Sequence, residues 1–166
     1  MKNKKAELLA PETLKIIISL VCILILVYLL FAIYSSNSKA QELIHAKNLM
    51  STISGMITKI NIEPSFKGDI PHITPAGWII VSYASSGAKP NQCSGQNCLC
   101  ICDSVSSIWS IFKSTEERQL NECSKNGVCL IIKNLKQFDK IEIGSATNPT
   151  SINIFKDGEF IGVKKI

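Results

Sequence analysis

Four cysteines fall within ten residues of this 166-residue chain, Cys93, Cys98, Cys100 and Cys102, and Cys123 and Cys129 follow them. Thiols at this density can close disulfides, hold a soft metal ion or supply a nucleophile, and spacing separates these chemistries. Structural zinc sites favour Cys-x2–4-Cys pairs joined by a second pair or by histidines. A plant-type iron–sulfur cluster needs Cys-x4-Cys-x2-Cys. Here the run is Cys-x4-Cys-x-Cys-x-Cys, and the two histidines, His45 and His72, lie far from it in sequence. The spacing therefore predicts no metal ligand and no cofactor. A cysteine nucleophile needs a base beside it, and nothing in the sequence brings His72 there. Six cysteines outside the apolar N-terminal stretch are an even set suited to disulfides in an oxidising compartment.

Geometry restricts how they pair. Residues 98–103 alternate as a strand, which puts Cys98, Cys100 and Cys102 on one face at about 6.6 Å per two residues. A disulfide brings Cβ atoms to about 3.8 Å, so these three cannot bridge to one another. Each then pairs with one of Cys93, Cys123 and Cys129, which leaves six connectivities. The short loop between Cys93 and Cys98 makes that pair the easiest to close.

An element must hold this cluster in place, and the N-terminal part of the chain supplies it. Residues 16–33 read IIISLVCILILVYLLFAI, without a charge. With Leu14 and Tyr34 the run reaches the roughly 20 residues a helix needs to cross a hydrocarbon core. A secretory signal's apolar region is shorter, about 7–15 residues, so a retained anchor is expected, with membrane lipid as its surroundings. Tyr28 and Tyr34 suit the outer interface, and Cys22 fills a mid-membrane position. Lys2, Lys4, Lys5 and Lys15 precede the span and only Lys39 follows closely. The positive-inside rule then keeps residues 1–13 cytoplasmic, spans the cell membrane with 14–34, and places 35–166 outside.

Past the span, Leu43, Ala46, Met50, Ile53, Ile57 and Ile60 recur in steps of three and four, a single face of an α-helix. Ile44, Leu49 and Met56 widen the stripe, and Glu63-Pro64 ends it. If the helix starts at Pro11, a good first-turn residue, it extends about 75 Å to Ile60 at about 1.5 Å per residue. The amphipathic half, 35–62, is expected to pack on the chain's own β domain.

From residue 63 the pattern changes to period two. Strands are expected at 78–83, 98–103, 127–132 and 138–143. A last hairpin is read from 151–155 and 159–163 around Lys156-Asp157-Gly158. Residues 104–122 fit either a short helix or an irregular excursion. The fold class is thus α+β: a long N-terminal helix, transmembrane then amphipathic, packed on an antiparallel sheet with a disulfide-stapled head.

Composition excludes several functions. From Ser35 onward 14 basic and 11 acidic residues are scattered, with no basic stripe alternating with aromatics. Nucleic-acid binding would need such a stripe. No phosphate loop, His-Glu-x-x-His or Gly-x-Ser-x-Gly is present. Glu116 and Glu117 fit a solvated surface, and Trp78 and Trp109 fit core packing better than a binding platform. An enzyme is not expected.

The N-terminal layout resembles the type IV pilin family, including archaeal pilin-like proteins with class III signal peptides. Lys4-Lys5-Ala6 looks like the basic and small residues before the peptidase cut, with Glu7 the new first residue. Glu12 looks like the early glutamate, which in that family neutralises a neighbouring subunit's amino terminus. Ala6 stands where glycine is more usual, Glu12 is sixth rather than fifth after the cut, and Lys15 enters the apolar run. The resemblance implies a structural subunit at the cell surface that packs with like subunits through its helix. The alternative is a monomeric, membrane-anchored accessory or binding module that presents the head outside.

Overall fold

In the computed structural model, which describes residues 4–63, 65–66, 68–104, 115–145 and 147–166, the apolar periodicity of the N-terminal half becomes one helix, α1 (Lys4–Ile62). It begins earlier than the sequence suggests, so Pro11 lies inside it, where its missing N–H removes one bond from the ladder. Its last turn closes through Glu63 N donating to Lys59 O at 2.8 Å. Chain contacts divide the molecule between Gln41 and Glu42. The part of α1 from Glu42 onward falls in one compact unit with the β domain, the packing expected of the amphipathic half.

Among the described residues seven strands follow, β1 (Gly68–Ile70), β2 (Trp78–Tyr83), β3 (Cys98–Asp103), β4 (Val128–Ile131), β5 (Ile141–Glu142), β6 (Ile152–Asp157) and β7 (Phe160–Lys165). A 3-10 turn (Asn91–Cys93) precedes β3, and a second helix, α2 (Thr115–Asn126), lies between β3 and β4. Strand pairing is antiparallel but carried by two sheets, β1-β6-β7 and β4-β3-β2-β5. One parallel bridge, Leu135 to Ile161, joins the chain after β4 to β7.

The stripe on α1 is the centre of the head's hydrophobic core. Ala46, Leu49, Met50, Ile53, Ile57 and Ile60 are buried together with Ile80 and Ile101 of one sheet and Ile152, Ile154 and Val163 of the other. Burying a side chain of this size contributes about 1.5–3 kcal/mol, so this seam fixes the helix on the sheets. Leu43 and Met56 are partly buried against it, while Ile44 stays exposed.

Two expected strands change where side chains intervene. The segment expected at 138–143 pairs as a strand only at Ile141–Glu142. Upstream, Ser82 Oγ accepts from Phe138 N at 2.9 Å and donates to Phe138 O at 3.1 Å. The Gln137 amide accepts from Ala84 N and donates to Ser82 O, both at 3.0 Å. These side chains take the place of ladder bonds. In the last hairpin the turn falls at Gly158-Glu159, later than Lys156-Asp157-Gly158, because Asp157 pairs with Phe160. Gly158 has φ 62, which suits the glycine-first turn that matches strand twist.

Candidate functional site

Two features could carry function, the apolar helix and the sulfur cluster of the head. Between Leu14 and Tyr34 every large apolar side chain of α1 is solvent-facing, from 46% exposed at Val21 to 74% at Tyr34. The stretch reaches a mean hydropathy of 3.3, with none of it buried. Soluble monomers rarely expose an apolar area of that extent, and such a surface marks a contact with lipid or with another protein. The helix is long and apolar enough to cross a membrane, which makes it a membrane-anchor candidate. Cys22 lies within it as a free, exposed thiol.

The residues that resemble a processing and assembly site, Lys4, Lys5, Ala6, Glu7 and Glu12, have helical backbone within α1. Their side chains lie outside the described residues. Trp109 also lies outside them.

The cluster is built on β3. Alternation sends Leu99 and Ile101 to the helix-facing core and Cys98, Cys100 and Cys102 to the opposite face. Opposite them on β2 stand Tyr83, Val81 and Ile79. Three bridges cover this face: Cys93–Cys98 with Cα atoms 5.8 Å apart, Cys100–Cys129 at 4.1 Å and Cys102–Cys123 at 5.0 Å. This is one of the six connectivities that alternation permits. Cys100 and Cys129 are directly opposed across β3 and β4. Cys123 comes from α2, so the third bridge pins that helix to the sheet.

Backbone geometry allows this close packing. Ser94 and Gly95 adopt left-handed conformations (φ 49 and 75), which bring Cys93 round to Cys98 across a short loop. Lys89 Nζ fastens that loop, donating to Asn97 Oδ1 at 2.9 Å and Gly95 O at 3.3 Å. Where α2 turns into β4, a Cβ on Gly127 would lie 2.6 Å from Cys123 O and 3.1 Å from Cys102 Sγ. Only glycine fits there. Gln92 Nε2 donates to Gly127 O at 2.9 Å.

Polar groups border the cluster. Tyr83 Oη donates to Cys123 Sγ at 3.4 Å, and Gln119 Nε2 reaches the same sulfur at 3.7 Å. Burial pushes the Tyr83 phenol above its ordinary value, since a phenolate here would lose hydration. Neighbouring bridges also touch, with Cys100 Sγ 3.7 Å from Cys93 Sγ and 3.8 Å from Cys98 Sγ. Sequence reasoning placed the six cysteines but missed Tyr83, Gln119, Gln92 and Lys89. Tyr83 shares the cysteine face by strand parity, and that was a usable signal.

The other candidates for chemistry are dispersed. Glu116 and Glu117 are exposed in the first turn of α2, where acidic groups favour the helix dipole. His45 and His72 are both exposed. Trp78 is buried in the core. No family model, curated protein or solved structure matches the chain.

Proposed function

We propose that this protein is a pilin-like structural subunit of the cell surface, anchored in the cell membrane by α1 with its head outside. One observation carries the reading. A single helix (Lys4–Ile62) joins an unburied apolar stretch to an amphipathic half that forms part of a disulfide-stapled β head. That layout separates two tasks along one element: the first half offers lipid or like helices a greasy surface, and the second fixes the head. The bridges support an oxidising location, and the lysines before the span support a cytoplasmic N-terminus.

In this reading a peptidase removes the leader after Ala6, and Glu7 becomes the first residue. Glu12 then offers its carboxylate to a neighbouring subunit's amino terminus within the apolar bundle. Edman or mass-spectrometric sequencing of protein recovered from sheared cell-surface material tests it. A mature chain that begins at Glu7 and sediments as an assembly is expected. A chain that retains Met1 and is extracted from membranes only as a monomer would favour the anchored accessory module instead.

A further inference from the structure

We propose that Cys93, Cys98, Cys100 and Cys129 form a redox-gated zinc site, occupied when their two bridges are reduced. The four sulfur atoms lie within 4.8 Å of one another. The contacts between the two bridges, 3.7 Å from Cys93 to Cys100 and 3.8 Å from Cys98 to Cys100, are the informative ones. Four thiolates at a Zn–S length of about 2.3 Å form a tetrahedron with edges of about 3.8 Å. Two inter-bridge edges already have that length. Opening a bond of about 2.0 Å to the same edge moves each sulfur by only about 1 Å.

The surroundings fit the same ion. Cys93, Cys98 and Cys100 are fully buried and Cys129 is half-buried, so the site is screened on one side and reachable on the other. β3 and β4 hold two ligands in register, and the tight Cys93–Cys98 loop holds the other two. A tetrathiolate zinc centre carries a charge of about −2, and Lys89 is fastened to that loop as a cation able to offset part of it. Cys102 and Cys123 are outside the set.

The chemistry balances. Each bridge takes two electrons from a dithiol or phosphine reductant, and its two protons come from the dithiol or, with a phosphine, from water. The reductant leaves as its disulfide, or as the phosphine oxide with oxygen from water. Four thiols then bind one Zn2+ and release four protons. In the reverse direction two equivalents of a disulfide oxidant take the four electrons and leave as their thiols. The four thiolates close into two bridges and the ion is expelled, so bridges and metal are alternative occupants of the same sulfur atoms. This site does not depend on the pilin-like reading: with the head outside the cytoplasm its bridges are closed, the zinc state forms only where a reductant is supplied, and its test reads neither the N-terminus nor assembly.

The test uses the full chain carrying Cys22→Ser in detergent micelles without oxygen, with Co2+ alone as probe and a phosphine as reductant. The reduced chain is expected to take up one equivalent with the visible bands of tetrahedral thiolate cobalt, and added Zn2+ is expected to bleach them. The oxidised chain is expected to show none. The paired variant Cys93→Ser/Cys129→Ser should lose the bands, whereas Cys102→Ser/Cys123→Ser should keep them. Because unfolded thiols can also scavenge cobalt, thermal unfolding provides a second readout. Zn2+ should raise the midpoint of the reduced chain and leave that of reduced Cys93→Ser/Cys129→Ser unmoved. No tetrahedral bands, bands that survive loss of Cys93 and Cys129, or zinc uptake without a raised midpoint would overturn the proposal.

Discussion

The indole Nε1 of Trp78, at the start of β2, donates to Glu42 Oε2 of α1 at 3.3 Å. Trp78 is buried against the helix stripe, so this part-buried bond satisfies the indole donor and ties the sheet to the first turn of α1 within the head. Leaving such a donor unpaired costs about 1–3 kcal/mol. Glu42→Ala should lower the head's unfolding free energy by that order, while Glu42→Gln, which keeps an acceptor, should lose much less. Urea unfolding followed by tryptophan fluorescence checks both.

Two glycines should respond oppositely to alanine. At Gly127 the new Cβ meets the Cys123 backbone at 2.6 Å, and at Gly55 it meets nothing within 4 Å. Overpacking of this kind costs about 1–3 kcal/mol, so Gly127→Ala is expected to destabilise. Gly55→Ala sits in a helix, where alanine is favoured over glycine by about 1 kcal/mol, and should stabilise. Equilibrium unfolding of the two variants side by side decides it.

The three bridges should differ in worth. They span sequence separations of 5, 29 and 21 for Cys93–Cys98, Cys100–Cys129 and Cys102–Cys123. By loop-closure entropy the short loop contributes roughly 2 kcal/mol and each longer one roughly 3–4 kcal/mol. Paired serine variants, with the remaining bridges verified by mass, should therefore lower the unfolding midpoint least for Cys93/Cys98.

Alkali should weaken the head through Tyr83. Its phenol is raised by burial, so the folded state keeps the proton longer than the unfolded one. The associated stability is complete below the unfolded value of about 10 and declines as pH rises towards the folded value. Tyr83→Phe should flatten that alkaline decline, and its loss should remove a late step from the phenolate absorbance titration. An unchanged alkaline limb in Tyr83→Phe would contradict the assignment.

Patterns that repeat were legible in the sequence, and those that depend on one side chain meeting another were not. The 3-4 steps from Leu43 to Ile60 identified the buried face of α1, and alternation identified β2 and β3 with their bounds. The cysteine face followed from the same parity. β1 is three residues long and carries too little pattern to read. β5 is shortened by Ser82 and Gln137, whose side-chain bonds to distant backbone no local rule anticipates. The division into two sheets likewise depends on β1 and β7 meeting β6, a long-range choice. Within 104–122 the helical option describes the end of the segment, where α2 begins at Thr115 and runs on to Asn126. The sulfur contacts between bridges arise only once the Cys93–Cys98 loop folds over β3.

The account rests on a head that matures beyond the reducing cytoplasm while one apolar helix holds it to the membrane. Thiol trapping at the moment of lysis, followed by denaturation and the intact mass of the membrane-extracted chain, tests this most directly. The account predicts a single alkyl adduct, on Cys22, and six cysteines closed to the reagent. Adducts on Cys93, Cys98, Cys100, Cys102, Cys123 and Cys129 in freshly lysed cells would contradict it.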